Sequence, residues 1–244
     1  MSRNQGGIML TVSQEAIQGT GDGPLKISRP RALRLLLVDD HPAVRVGLQR
    51  VLEDEPGFEV VAACTTGESA VSRAEAIEVD VAIVDYHLGG RNGLWVSRKL
   101  KRLPRPPRVI VFSAFANDHL AANCIVAGAD AILSKGSLAS ELCDVIRSVA
   151  HGVRVLPRVP KPMADMLRRR LDDGEQQIFG MLLAGISRLE IARMMGISAV
   201  DLESREAMML NKLEALPGER PDPSSGRIDL DRRLPLGSRY RHRR

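Results

Sequence analysis

Five short apolar runs, each followed by a stretch of helical periodicity, constrain this chain more than any other feature. LRLLLV (33–38) is apolar but for Arg34 and runs into Asp39-Asp40, the pattern of a strand buried on both faces. FEVVAA (58–63), DVAIVD (80–85), RVIVFS (108–113) and DAILS (130–134) repeat it. Between them, Val44, Leu48, Val51 and Leu52 recur at helical spacing until Pro56-Gly57. Further helices are predicted from Gly67 to Ile77, from about Gly93 to Leu103 and around 117–127. A fifth, after DAILS, carries Leu138, Leu142, Val145, Ile146 and Val149. Parallel strands need crossover connections, and one helix is available for each. The alternation therefore predicts an α/β doubly wound five-stranded parallel sheet.

The rest of the chain has a different character. Residues 1–32, rich in Gly, Ser, Gln and Thr, read as a flexible arm, and 33–156 as the α/β domain. Pro157, Pro160 and Pro162 with Arg158 and Lys161 make a stiff linker, 157–162. Residues 163–216 are helical in pattern, and 217–244 form a basic tail with the composition of disorder. The net charge of +5 suggests a polyanionic partner only if it is focused on one surface. It is not focused on a folded segment. Residues 33–156 hold 14 basic and 15 acidic residues, and 163–216 hold 7 and 9. The excess lies in the arm, the linker and above all the tail, whose arginines suit non-specific phosphate contacts. Cys64, Cys124 and Cys143 lack metal-ligand spacing, no run is long enough to cross a bilayer, and a cytoplasmic location is expected.

Ligands of doubly wound sheets sit beyond the carboxyl ends of the strands. That rule selects Asp39, Asp40, Asp85, Ser113 and Lys135, each at or just past a strand end. Grouped carboxylates repel unless a cation neutralises them, and hard oxygen ligands at an open site favour Mg²⁺. A carboxylate beside such an ion can attack phosphorus and form an aspartyl-phosphate. Lys135 would balance the incoming charge, and Ser113 could donate to a phosphoryl oxygen. His41 and His87 read as polar walls of the pocket, and Trp95 as helix packing.

These residues carry a resemblance. LRLLLVDDHPAVRVGL, VDVAIVDYHLGGRNG, RVIVFSA and AGADAILSKG resemble the receiver domain of two-component response regulators over roughly 33–155. The resemblance implies a flavodoxin-like fold, with Asp85 as phosphoacceptor. It implies Mg²⁺ on Asp39, Asp40, Asp85 and the main-chain carbonyl of His87, Ser113 as switch hydroxyl and Lys135 as phosphate-binding lysine. The donor would be a sensor histidine kinase. Two positions depart from the family: Ile132 replaces an aromatic that changes rotamer on activation, and Gly89 replaces a proline in the loop after the acceptor.

In 171–216, Gly185 and Gly196 divide the sequence into three helices. Ser187 with Glu190, and Ser198 with Asp201, fit capping boxes. Two short helices around a Gly-containing turn make a helix-turn-helix, so the second domain is expected to be small and all-α. AGIS, EIARMMGIS and NKLEAL resemble the LuxR-type helix-turn-helix. Leu202, Met209 and Leu213 supply its buried stripe. Val200, Glu203, Ser204, Ala207 and Asn211, with Arg205 and Lys212 beside them, form the expected DNA face. Glu203 stands where the family has a lysine, and phosphate repels a carboxylate.

The leading expectation is a phosphorylation-controlled transcription factor that binds promoter DNA as a homodimer, with no membrane contact and no turnover beyond its own phosphorylation and dephosphorylation. One alternative is a phosphorylation-dependent protein-interaction regulator whose helical module no longer reads DNA. Another is a haloacid-type phosphatase, which would leave the helical module without a role.

Overall fold

Side-chain alternation along the strands decides which helices cover which face of the sheet. In the computed structural model, which describes residues 31–214, β1 (Leu33–Val38), β2 (Phe58–Cys64), β3 (Val81–Asp85), β4 (Arg108–Ser113) and β5 (Ala131–Ser134) pair in parallel in the order β2-β1-β3-β4-β5. Leu35, Leu37, Ile83, Ile110, Phe112 and Leu133 point to one face. There they pack on α1 (Pro42–Glu53) and α5 (Ala139–Ala150). Leu36, Val38, Ala82, Val84 and Val109 point to the other, against α2 (Gly67–Ala76) and α3 (Gly93–Leu100). Val111 and Ile132 share that second face and meet α4 (Asp118–Ala127). The order reverses between β1 and β3, so a crevice opens at their carboxyl ends.

Element ends follow local chemistry. Thr66, Asn92 and Asn117 accept from the amides of Ser69, Trp95 and Leu120 and so cap α2, α3 and α4. Several predicted boundaries shift by a residue or more. The helix expected to reach Leu103 stops at Leu100 and relaxes into a turn ahead of Pro104, since a residue before proline avoids the helical region. The helix expected to reach Ile77 ends at Ala76, with Ile77 extended. Asp130 lies outside β5 and spends its carboxylate on the amide of Val109, on Arg108 and on Lys101.

The second half is helical: α6 (Lys161–Arg168), α7 (Asp173–Leu183), α8 (Arg188–Met195) and α9 (Ala199–Glu214). The expected linker, 157–162, gives up its last two residues to α6, because Pro162 fits the first helical turn, where its missing N–H costs nothing. Gly185 and Gly196 adopt left-handed φ values of 80° and 64°, which ends α7 and α8 as expected. Ser198 and Asp201 form the expected reciprocal cap. Glu190 differs: its carboxylate meets the Ser187 hydroxyl. A further complete capping box, Asp172 with Glu175, starts α7. Leu202, Met209 and Leu213 are buried as the stripe requires. The arm, apart from Arg31 and Ala32, and the tail, 217–244, lie outside the described residues. Among those described, no helix is long and apolar enough to cross a membrane.

Candidate functional site

The crevice gathers the strand-end residues. Asp39 and Asp85 are each 2% exposed, and Ser113, two strands from β1, is fully buried. Lys135 Nζ lies 2.7 Å from Asp39 Oδ2 and 2.8 Å from Asp85 Oδ2, bridging β1 and β3 from beyond β5. Main-chain amides hold the carboxylates in place. His41 N donates to Asp39 Oδ1 at 2.8 Å, His87 N to Asp85 Oδ1 at 3.2 Å, and Gly89 N to Asp40 Oδ2 at 2.9 Å. The Ser113 hydroxyl accepts from Phe115 N at 3.1 Å and so is tied to the loop leading into α4. Burial pushes the Asp85 carboxyl up, against the pull of Lys135. Burial works against the Lys135 charge, but its bonds to Asp39 and Asp85 outweigh that and hold the ammonium above its usual range.

Sequence reading missed Gly93. A Cβ there would stand 2.4 Å from the Asp85 carbonyl oxygen, so only glycine lets the loop after Asp85 fold back this tightly. Its signal was the Asn92-Gly93 pair, a cap followed by a residue without a side chain. Ile132 is 1% exposed and packed in the core beside α4.

The expected DNA face divides. Val200, Ser204 and Asn211 are exposed. Lys212 is exposed too, yet its ammonium meets the buried Glu175 at 2.5 Å and Asp172 at 3.6 Å. Arg205 is half-buried and lies against Gly174 in the first turn of α7. Glu203 and Ala207 are half-buried. The expectation that Glu203 faces outward for DNA does not hold in this conformation. Its carboxylate pairs with Arg102 at 2.9 Å, and its carbonyl accepts from Arg98 at 3.0 Å, just beyond and within α3.

Comparison with known proteins agrees with this architecture. The response regulator receiver domain profile matches residues 35–147. The chain is 32% identical over 191 residues to the response regulator UvrY of Escherichia coli strain K12, covering 74% of this chain and 88% of that protein. The chain belongs to the two-component response regulators. It is also 29% identical to the transcriptional regulatory protein LiaR of Bacillus subtilis, over 75% of this chain and 91% of that one. A LuxR-family response regulator from Aurantimonas aligns with a TM-score of 0.50 and 29% identity, over 55% of this chain and 97% of that structure. RcsB bound to DNA aligns at 0.50 with 19% identity, over 77% and 95%, a likeness of fold. The response regulator thus joins a flavodoxin-like receiver to a LuxR-type helix-turn-helix.

In this response regulator the two parts touch along α9. Arg188 of α8 donates to the Val126 carbonyl at 2.9 Å, satisfying an orphan group at the end of α4, and pairs with Glu206 at 2.8 Å. Glu206 is 4% exposed, and burial pushes its carboxyl up although Arg188 and Arg98 oppose the shift. At the far end, Asn92 donates to Glu214 at 3.0 Å and His119 Nε2 meets the Leu213 carbonyl at 3.1 Å. One apolar cluster runs from Val111 and Ile132 through α4 to Phe179, Ile191 and Leu213. The sequence held no signal for the hydrogen bonds between the two parts, because each joins residues more than 50 positions apart.

Proposed function

We propose that a sensor histidine kinase phosphorylates this regulator on Asp85, and that phosphorylation frees α9 to bind promoter DNA as part of a homodimer. The observation that carries this reading is the pair of contacts at the last turn of α9. Asn92 belongs to the loop after the acceptor, and His119 to the helix after the switch hydroxyl. A change at either flank of the pocket therefore reaches the recognition helix directly. It needs no aromatic rotamer, which Ile132 could not supply.

An Asp85 carboxylate oxygen would attack phosphorus. The bond to the kinase imidazole nitrogen breaks, and that nitrogen keeps the electron pair. Lys135 neutralises charge on the incoming phosphoryl oxygens. The Ser113 hydroxyl can donate a hydrogen bond to one of them and in doing so reorient the loop held by Phe115. The pocket suits a divalent cation: Asp40 Oδ1 and Asp85 Oδ2 are sealed from solvent, and Asp85 Oδ2 has only the Lys135 ammonium, at 2.8 Å, to offset the charge of three grouped carboxylates. Asp39, Asp40, Asp85 and the carbonyl of His87 would hold Mg²⁺. When bound, the ion would offset the carboxylate charge and draw electron density from the phosphoryl oxygens.

Release would uncover Glu203 and Ala207 beside Val200, Ser204 and Asn211. Two copies related by a two-fold axis could then meet half-sites about one helical turn, ~34–36 Å, apart. The test is promoter retention in a gel shift with and without acetyl phosphate or beryllofluoride, using the full chain and Asp85→Asn. Phosphorylation should enhance retention in the wild type, and Asp85→Asn should take up no phosphate. Wild-type protein that incorporates phosphate yet shows no sequence preference would overturn the DNA reading and favour a protein target. Label that persists on Asp85→Asn would overturn the acceptor assignment.

A further inference from the structure

His41 occupies the N-cap of α1, where Ser, Thr, Asp or Asn normally satisfies the first helical amides. Its side chain makes no cap hydrogen bond. The imidazole turns into the carboxylate cluster instead. Nδ1 lies 2.8 Å from Asp40 Oδ1, 3.4 Å from Asp39 Oδ1 and 3.9 Å from Asp85 Oδ2. Asp39, Asp40, His41 and Asp85 each offer a ligand atom, and all four atoms lie within 4.8 Å of one another.

Those spacings have the dimensions of a coordination shell. With metal–ligand bonds of ~2.1 Å, neighbouring ligands of an octahedron stand ~3.0 Å apart and opposed ones ~4.2 Å. The three distances from Nδ1 lie in or beside that interval. The residue breaks the local capping preference, and its ring is placed where the carboxylates converge. Such a breach of local rules marks a side chain held for another purpose.

We propose that His41 is a nitrogen ligand of the cation in this pocket, and that it gives the site a preference for borderline first-row ions, such as Ni²⁺ and Zn²⁺, over Mg²⁺. The inference rests on the pocket being a cation site, as argued above. Oxygen donors alone suit Mg²⁺, which keeps several waters and gains little from an imidazole. Adding one imidazole to three carboxylates raises affinity for Ni²⁺ and Zn²⁺ selectively. The His41 side chain is 64% exposed, so its ring is free to settle onto an ion without disturbing the core. An ion held this way would compete with Mg²⁺ beside the acceptor carboxylate and make phosphorylation sensitive to the supply of such metals.

The test is calorimetric titration of tag-free full-length protein with Mg²⁺, Ni²⁺ and Zn²⁺ separately. The set comprises wild type, His41→Ala, His41→Asn, His87→Ala and Asp40→Asn. His41→Asn restores an ordinary capping side chain, so a loss there does not come from a frayed helix. Both His41 variants should lose about tenfold or more in Ni²⁺ and Zn²⁺ affinity while Mg²⁺ affinity changes by less than about threefold. Asp40→Asn should weaken all three ions. Unchanged Ni²⁺ affinity in both His41 variants, with Mg²⁺ still bound, would overturn the proposal and leave the Mg²⁺ site standing. An equal loss in His87→Ala would overturn it by assigning the nitrogen ligand to the other imidazole. Ion binding that survives Asp40→Asn unchanged, Mg²⁺ included, would overturn the cation pocket itself.

Discussion

The receiver pocket and the recognition helix sit in one chain and were read from the same kind of local pattern, yet they reach their final geometry differently. Each pocket residue stands at the end of a strand, and parallel pairing brings the ends of β1, β3, β4 and β5 together whatever else the chain does. Asp39, Asp85, Ser113 and Lys135 therefore meet as soon as the sheet forms. Residues of α9 share a helix face by periodicity alone, but what that face meets depends on a partner far away in sequence. Glu203 lies on the expected face, yet it is turned to Arg98 and Arg102 while Val200, Ser204 and Asn211 stay exposed. Topology makes the first arrangement obligatory, whereas the second depends on tertiary packing between distant parts of the chain.

The largest expected effect falls on the obligatory side. Gly93→Ala forces a Cβ into the Asp85 carbonyl, and overpacking of this kind typically costs ~1–3 kcal/mol. Urea unfolding should show the loss, and uptake of label from acetyl phosphate should fall as the loop shifts Asp85. If stability and uptake both hold, the pocket tolerates more play than its close contacts imply.

The α9 side should respond through exposure rather than through folding. Glu203→Lys sets like charge against Arg98 and Arg102. It should speed amide exchange across α9 on the order of fivefold, the scale of a partly exposed ion pair. Adding Arg102→Glu should restore protection, since the reversed pair re-forms the contact. Exchange that ignores both changes would show that apolar packing alone holds α9 in place.

The smallest effect concerns pH. Glu206 faces Arg188 and Arg98, with Glu203 nearby, and its folded-state pKa is raised by burial. A carboxyl that binds its proton more tightly when α9 is docked favours docking at low pH. That contribution is lost as pH rises from the ordinary carboxyl range through the raised value. Protection of α9, corrected for intrinsic exchange, should therefore decline over that window and flatten in Glu206→Gln. The opposite slope would mean that the ion pair with Arg188 outweighs burial.

How much the sequence disclosed follows the same division. The apolar runs LRLLLV and its four counterparts, each followed by helical periodicity, placed every strand, and the rule of strand ends found the pocket. Caps at Thr66, Asn92 and Asn117 follow from side-chain chemistry within three residues. Helix ends moved where proline intervened, at Leu103 and Lys161. The role of Glu203 could not be read because it depends on Arg98 and Arg102, which are brought near only by tertiary packing. The aim of His41 was hidden for a related reason. An N-cap position predicts where its backbone goes, but the imidazole is drawn by carboxylates from a different strand.

Helix α4 has one more implication. Every residue from Leu120 to Ala127 is buried, and the cluster around it takes side chains from both sides of the linker. The receiver and its output module are therefore not interchangeable cassettes. A chimera that grafts another regulator's helix-turn-helix after the linker inherits an α4 shaped for Phe179, Ile191 and Leu213. To keep its solubility and its control, it must carry a matching surface of its own.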